Sequence, residues 1–281
     1  MSGKYIMRKM TRGELDLAVK WAAEEGWNPG LHDADCFWSA DPNGWFIGLL
    51  DDKPIAVMAA VDYGKTFGFL GFYIVKQEHR GKSYGYRLWK YIHDTIPDRN
   101  YGLDGVPAQI DNYKKSGYKL AYRNFRYEGK GGGNYSNSKI VNISGVPVEK
   151  ILEYDKPLFP DDRSRFIKCW VNMPESFAEA YVENDKIKGY GVIRKCGIGY
   201  KIGPLFADDS SIADELFRSL KSRIPENENI YLDTPEVNEE AVNLAESYGM
   251  KYSFETARMY SKEEPDINMK KIFGVTTFEI G

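Results

Sequence analysis

Two stretches of the chain, one in each half, repeat the same order of features. Residues 101–122 read YGLDGVPAQIDNYKKSGYKLAY, and residues 230–254 read IYLDTPEVNEEAVNLAESYGMKYSF. Each runs from a strand into Leu-Asp, a proline-bearing turn, a helical segment, a glycine and an aromatic strand. Because internal self-similarity marks a duplicated structural unit, the sequence predicts two copies of one fold.

A break in composition separates the two copies. The segment Gly129–Lys139, GKGGGNYSNSK, is rich in Gly, Ser and Asn and has no apolar periodicity, which predicts a flexible linker. We therefore expect an N-terminal domain over residues 1–129, a linker over 130–138 and a C-terminal domain over 139–281. The length of 281 residues agrees with two domains, since about 150 residues per domain is usual.

Strand and helix patterns alternate on both sides of this linker. In the first half, the strand YIMRKM and the helix TRGELDLAVKWAAEEG precede three strand-like runs, GWFIGLL, KPIAVMAAVDY and FGFLGFYIV. A helix, the strand NYGLDGV, the helix AQIDNYKKSG and a closing hairpin or bent strand, YKLAYRNFRYE, complete this half. The second half predicts a similar order and ends in the strand KYSFETARMYS.

Charge and cysteine usage restrict the class of protein. A net charge of −3 and a pI of about 5.8 argue against non-specific nucleic-acid binding. No stretch approaches the roughly 18 apolar residues of a membrane span, and the first residues lack the core of a signal peptide. The three cysteines, Cys36, Cys169 and Cys196, are odd in number and far apart, which favours reduced thiols. We expect a soluble cytoplasmic protein with no nucleic-acid or membrane partner.

One turn has the composition of a phosphate site. Gln77–Trp89, QEHRGKSYGYRLW, places basic residues, glycines and a serine between a long hydrophobic strand and an amphipathic helix. The backbone N–H groups from Arg80 to Gly85 and the positive end of the helix dipole suit a diphosphate, and Arg80 and Lys82 add full charges. Glycine lets the backbone approach the phosphates closely.

The surrounding stretch Ile74–Leu88, IVKQEHRGKSYGYRL, resembles motif A of the GNAT superfamily of N-acetyltransferases, whose acetyl-coenzyme A loop follows R-x-x-G-x-G/A. Arg80 and Gly85 match the first and last positions. Ser83 stands where the middle glycine is usual, and its hydroxyl can itself donate to a phosphate oxygen. The resemblance covers the first half, and the repeat extends it to the second. It implies an α/β (α+β) protein of two tandem GNAT folds, each a mixed, mostly antiparallel sheet flanked by helices.

The same resemblance implies where acetyl-coenzyme A binds. Its pantetheine arm is expected along the strand before the loop, where a backbone N–H would also stabilise the oxyanion. Its diphosphate is expected on the loop. The residues implied to bind acetyl-coenzyme A are Tyr73, Ile74, Val75, Arg80, Gly81, Lys82, Ser83, Tyr84 and Gly85.

A second match lies about thirty residues further on. Tyr113–Tyr118, YKKSGY, resembles the family's helix ending Y-x-x-x-G-F, in which the tyrosine often protonates the departing thiolate. A phenol with a pKa of about 10 suits that role, although a tyrosine at a helix end also commonly only packs. In the second half Ala245 takes this position, and Asp208 and Asp209 stand in the equivalent loop, where they would repel a diphosphate. We expect the second half to lack the cofactor site.

The proton acceptor is harder to assign. Asp104 follows a strand at the point where the sheet should open beside the thioester, while Glu78 and His79 flank the loop. Asp104 is therefore either the general base or a turn-capping residue, and a chain of waters is a third route for the proton.

The acceptor site is expected in Leu31–Trp45, the region that lines it in such folds. Asp35, Trp38 and Trp45 offer acidic and aromatic faces that suit an amine. The His, Asp and Cys residues of this segment match no familiar zinc spacing, and we expect no metal.

Two functions stay open. The first is an acetyl-coenzyme A-dependent N-acetyltransferase that acts on a primary amine of a small molecule or peptide, by direct attack in a ternary complex. No nucleophilic residue is required for this reaction, and none stands out. The alternative is a non-catalytic module that binds acyl-coenzyme A or a metabolite. The tandem layout itself resembles bacterial two-domain GNAT proteins.

Overall fold

The computed structural model describes residues 3–281, which form eight α-helices and thirteen β-strands. The first half contains, in order, β1 (Tyr5–Lys9), α1 (Arg12–Glu24), α2 (Asp33–Ala40), β2 (Trp45–Leu50), β3 (Lys53–Tyr63), β4 (Phe67–Val75), α3 (Tyr84–His93), β5 (Asn100–Gly105), α4 (Ile110–Lys115) and β6 (Lys119–Lys130). The second half contains β7 (Ile140–Asn142), α5 (Val148–Asp155), α6 (Ser164–Trp170), β8 (Ser176–Glu183), β9 (Lys186–Lys195), β10 (Tyr200–Ala207), α7 (Ser210–Ser222), β11 (Asn229–Pro235), α8 (Glu239–Ser247), β12 (Lys251–Tyr260) and β13 (Ile272–Gly274).

Both halves follow one order of elements. In each, a strand is followed by two helices, three strands, a helix, a strand, a helix and a last strand, and β13 is an addition to the second half. Strand pairs are antiparallel except β4 with β5 and β10 with β11, which are parallel. The predicted fold class, two mixed and mostly antiparallel GNAT-like sheets flanked by helices, is confirmed.

The last strands of the two halves are exchanged. β12 of the second half pairs with β5 of the first, with Ala257 opposite Gly105. β6 of the first half pairs with β11 of the second, with Phe125 opposite Thr234. Since β6 and β12 also pair with each other, the sheet is continuous in the order β1-β2-β3-β4-β5-β12-β6-β11-β10-β9-β8-β7. YKLAYRNFRYE is thus one strand of a shared sheet, and the alternative of a closing hairpin was wrong.

A hydrophobic cluster between the halves adds to this exchange. The buried Phe37 ring lies 6.1 Å from Trp45 of its own half and 6.0 Å from Trp170 of the other, measured between ring centroids. Burial of a large apolar side chain contributes about 1.5–3 kcal/mol, so this cluster binds the halves strongly.

The segment expected to be a flexible linker is packed where it leaves β6. Gly131 and Gly132 are buried, and their N–H groups donate to the carbonyls of Glu228 (3.0 Å) and Ile224 (2.7 Å). Lys221 donates to both glycine carbonyls, at 3.0 and 2.8 Å. A Cβ at Gly131 would overlap the carbonyl oxygen of Pro225, so glycine at this position allows close packing. The prediction of a flexible linker was therefore wrong for Gly131 and Gly132. The domain boundaries stay a prediction.

The expectation of reduced thiols was wrong for two of the three cysteines. A disulfide joins Cys36 of α2 to Cys169 of α6, with a Cα–Cα distance of 5.2 Å. The two residues are 133 positions apart in sequence, and only the packing of the equivalent helices α2 and α6 brings them together. Cys196 is free and buried.

Hydrophobic helices of membrane-spanning length are absent from residues 3–281.

Candidate active site

The sheet opens between β4 and β5. These strands pair only from Phe67 to Leu70 on β4, although β4 continues to Val75. Beyond Leu70 a β-bulge interrupts the pairing of β4 with β3, and Phe72 at the bulge has φ +49°, a left-handed conformation that is rare for a bulky residue. The β5-facing edge of β4 over the predicted pantetheine positions Tyr73, Ile74 and Val75 is therefore unpaired with β5.

The turn after β4 has the geometry predicted for a phosphate site. Gly81 and Ser83 both have positive φ, +74° and +61°, and α3 begins at Tyr84. The first N–H groups of a helix have no partner within the helix and point out of its N-terminus. Gly85 is buried against β4, since a Cβ there would crowd the Tyr73 hydroxyl and a methyl group of Val75. Glycine at this position thus lets α3 pack closely on β4.

The two basic side chains of the turn differ in placement. Arg80 lines the cavity, donates from Nε to the Val75 carbonyl at 2.8 Å and forms an ion pair with Glu25. Lys82 instead donates to the Glu78 carbonyl at 2.8 Å and does not line the cavity. Its expected role as a phosphate-binding side chain is not supported by this position.

A cavity of about 570 Å³ joins the turn, the opening between β4 and β5, and α4. Its floor is the bulged end of β4 and the start of α3. Its opposite wall is formed by α4 and by residues of the exchanged strands and the chain's last segment. The lining residues outside the turn and β4 include Trp27, Leu103, Asp104, Tyr113, Arg126, Phe254, Thr256, Phe278 and Glu279.

Tyr113, the acid predicted from the sequence, lines the cavity beside the opening. Its ring lies directly on Gly105, where a Cβ would overlap it, and 5.7 Å from the Trp89 ring between centroids. Burial raises the pKa of Tyr113 well above that of a free phenol, and raises the pKa of nearby Tyr73 to about 12. Both hydroxyls therefore stay protonated at neutral pH, and each has a proton to donate.

Asp104 is held in a buried ion pair. Its two carboxylate oxygens accept from Nε and Nη2 of Arg258 on β12, at 2.8 and 2.7 Å, and Oδ1 also accepts from Asn124 at 2.9 Å. Burial raises the pKa of Asp104, while the Arg258 guanidinium opposes that rise. Because both oxygens are engaged across the exchanged strands, the arrangement favours a structural role over that of the predicted base.

The predicted acceptor-site residues do not reach the cavity. Asp35 is exposed on α2 and pairs with Arg12 at 2.5 Å. Trp38 is partly buried against the core between the halves, and Trp45 is fully buried within it. The helix α2, which the sequence analysis did not anticipate, turns Asp35 to solvent, and the alternation of β2 turns Trp45 inward. None of the three lines the cavity, so this assignment was wrong in position.

The second half holds in place the segment between α1 and α2, in which Trp27 lines the cavity. This segment is hydrogen-bonded to the second half: Asn28 Nδ2 donates to the Ile198 carbonyl at 2.8 Å, and Leu31 N donates to Lys195 O at 3.0 Å. The buried Arg194 guanidinium binds Asp33 at 2.8 Å. Sequence reasoning missed these contacts because each joins residues more than 150 positions apart.

The equivalent opening in the second half is filled by the chain itself. β10 and β11 pair from Tyr200 to Ile202 and then diverge, and β13 pairs with β10 within the gap. The N–H of Val275 then donates to the Asp233 carbonyl of β11 at 2.8 Å, which closes the gap from the other side. The position that corresponds to the opening beside β4 in the first half is therefore taken by Ile272 to Val275.

The aspartates in the corresponding loop are also engaged. Asp208 pairs with Lys271 at 2.9 Å and Lys188 at 3.2 Å, and Asp209 caps α7 by accepting from Ile212 N at 3.0 Å. A carboxylate thus occupies the helix N-terminus where the first half leaves N–H groups for phosphate. Ala245, which the sequence alignment places at the position of Tyr113, is buried on α8.

Family models match the two halves separately. The acetyltransferase (GNAT) family model matches residues 14–118, and an acetyltransferase (GNAT) domain model matches residues 151–274. The holothin acyltransferase of Pseudoalteromonas sp. (strain SANK 73390) is 29% identical to this chain over 269 residues, which cover 95% of this chain and 92% of that protein.

Solved structures share the whole architecture. A proposed acetyltransferase from Pyrococcus horikoshii superposes with a TM-score of 0.84 at 20% identity, covering 99% of this chain and 96% of that one. A tandem GNAT protein from the clavulanic acid biosynthesis pathway has a TM-score of 0.61 at 9% identity, covering 93% of this chain and 100% of that one. The chain belongs to the GNAT acetyltransferase family, with one GNAT fold in each half. It is an acyltransferase.

Replacing Ser83 tests the phosphate turn. A left-handed conformation costs an L-residue about 1–2 kcal/mol, so we expect Ser83→Gly to raise the free energy of unfolding by about 1 kcal/mol without weakening coenzyme A binding. Ser83→Ala keeps the strain and loses the hydroxyl, and should weaken binding about fivefold if that hydroxyl contacts phosphate. Chemical denaturation and calorimetry measure both effects, and a less stable Ser83→Gly protein would contradict the account.

Asp104→Asn separates a structural role from a catalytic one. The substitution leaves the Arg258 guanidinium buried without its counter-charge, and we expect the free energy of unfolding to fall by about 3–5 kcal/mol. The matched double variant, Asp104→Leu with Arg258→Met, should recover most of that loss. A protein that keeps its stability in urea but loses turnover would instead make Asp104 the base.

Proposed function

We propose that the first half transfers an acetyl group from acetyl-coenzyme A to a primary amine of a small molecule or peptide, by direct attack in a ternary complex. The observation that carries this proposal is the continuity of one cavity from the phosphate turn, past the open edge of β4, to Tyr113. A donor, an acceptor and an acid can meet only in such a space.

The turn and β4 fit the donor, which supplies the acyl group as an activated thioester. The N–H groups at the start of α3 and the Arg80 guanidinium suit the diphosphate. The edge of β4 from Tyr73 to Val75 that β5 leaves unpaired suits the amide groups of the pantetheine arm, and an N–H there suits the oxyanion. The Glu25 carboxylate that pairs with Arg80 would be displaced by phosphate.

Tyr113 is the proposed acid. Its buried hydroxyl stays protonated at neutral pH and lines the cavity beside β4. Donation of that proton to the departing sulfur prevents release of a free thiolate, a contribution that is typically about 10²–10⁴-fold for general acids.

The cavity walls favour an amine that carries an apolar group. Trp27, Phe254 and Phe278 present aromatic faces opposite the β4 opening. The relative at 29% identity is named for acylation of holothin, which supports a small-molecule acceptor for this chain also.

A non-catalytic binding module is the rival, and Tyr113→Phe discriminates between the two. We expect the variant to bind coenzyme A as the unsubstituted protein does, but to release free thiol from acetyl-coenzyme A about 10²-fold more slowly with an active amine. Tyr118→Phe is the matched control, because Tyr118 is buried beside Trp89 but bonds to His93 and does not line the cavity. Coenzyme A binding without turnover against a panel of amines, amino acids, polyamines and peptides would favour the binding module.

A further inference from the structure

The last residues of the second half enter the active-site cavity of the first. After β13 the chain is buried from Val275 to Gly281 and crosses to β4. The Tyr63 hydroxyl of β3 donates to the Ile280 carbonyl at 3.0 Å. The carbonyl oxygen of Glu279 lies so close to Gly71 that a Cβ there would overlap it. Glu279 is thereby fixed beside the β4 bulge, where the sheet opens.

Glu279 differs from the other acids that line this cavity. Glu25 pairs with Arg80, and Asp104 pairs with Arg258. Within residues 3–281, no Lys, Arg or His nitrogen lies within the 4.0 Å of an ion pair from the Glu279 carboxylate. One of its oxygens accepts from the Thr277 hydroxyl. Glu279 is 3% exposed and is among the residues that line the cavity, and its charge has no direct ion-pair partner among the described residues.

Other charged groups face Glu279 from the adjoining strands. Arg126 of β6, Arg194 of β9 and Lys201 of β10 all lie within electrostatic range of it. Arg126 is paired with Asp233 at 2.7 Å, and Arg194 with Asp33 at 2.8 Å. Lys201, whose hydrogen bond is to the Trp27 carbonyl at 3.4 Å, has no such partner among the described residues.

We propose that Glu279 is the group that takes the proton from the acceptor amine, so that the second half supplies the base for chemistry in the first. This inference rests on the proposed function. The Glu279 carboxylate takes a proton from the ammonium form of the acceptor, which leaves a neutral amine to attack the acyl carbon. As the carbon–nitrogen bond forms and the carbon–sulfur bond breaks, Tyr113 gives its proton to sulfur, and the second amine proton passes through water to the Tyr113 phenolate. Glu279 then releases its proton to solvent, which restores both groups.

A purely electrostatic role as counter-charge to Lys201 is the competing explanation, and it predicts a different result. Loss of a counter-charge lowers the free energy of unfolding wherever Lys201 is charged, whichever amine is supplied. Loss of a base lowers turnover most where the amine is mainly protonated, so the pH at which that loss is relieved moves with the pKa of the amine chosen.

The test compares Glu279→Gln with the unsubstituted protein in its affinity for acetyl-coenzyme A, in kcat/KM near pH 7 and in the pH dependence of kcat/KM. We expect acetyl-coenzyme A affinity by calorimetry to change less than about twofold. We expect kcat/KM with an active amine to fall about 10²-fold near pH 7 and the loss to shrink progressively towards pH 10. Glu264→Gln, an exposed glutamate outside the cavity, should behave as the unsubstituted protein.

Glu279→Asp keeps the negative charge on a side chain that is shorter by one methylene. We expect it to lower kcat/KM by an intermediate amount with the same pH dependence. This variant keeps the test decisive if Glu279→Gln folds poorly. A loss of kcat/KM that is equal at all pH values, an unchanged kcat/KM, or a loss of acetyl-coenzyme A affinity would each overturn the role of Glu279. Absence of turnover by the unsubstituted protein with every amine would overturn the proposed function, and this inference with it.

Discussion

The pairing of β12 with β5 is the interaction on which the rest of the structure depends. It commits the last strand of the second half to the sheet of the first, and β6 makes the reciprocal pairing with β11. The exchanged strand carries Arg258 against Asp104 and brings Phe254 to the cavity. A buried ion pair of this kind contributes little net stability but penalises any arrangement that separates its partners, so it fixes which strands pair.

The duplication has produced two halves with different tasks. In the first, the opening beside β4 is left free, and its turn presents N–H groups and Arg80. In the second, β13 fills the same opening and Asp209 caps the equivalent helix. The second half also holds the segment between α1 and α2 in place and extends its last residues to β4. It therefore forms one wall of the cavity, while β13 fills the equivalent opening in its own part of the sheet.

Features that depend on one short segment could be predicted from the sequence. The turn from Arg80 to Gly85 is formed by the backbone of consecutive residues, and the position of Tyr113 is set by the helix that carries it. The rest depends on contacts between distant residues. Asp104 was located correctly at the sheet opening, but its partner Arg258 is 154 positions away. The disulfide depends on the packing of α2 on α6, the packed glycines after β6 on the strand exchange, and the position of Glu279 on the path of the last residues to β4. None of these contacts could be predicted from a local sequence pattern.

Titration of coenzyme A into the intact chain by calorimetry tests the central claim most directly, namely that one half binds the donor and the other is closed to it. The account predicts one molecule bound per chain, an affinity lowered about tenfold or more by Arg80→Ala, and no change with Asp208→Ala. Two molecules per chain, or binding that is unaffected by Arg80→Ala, would contradict it.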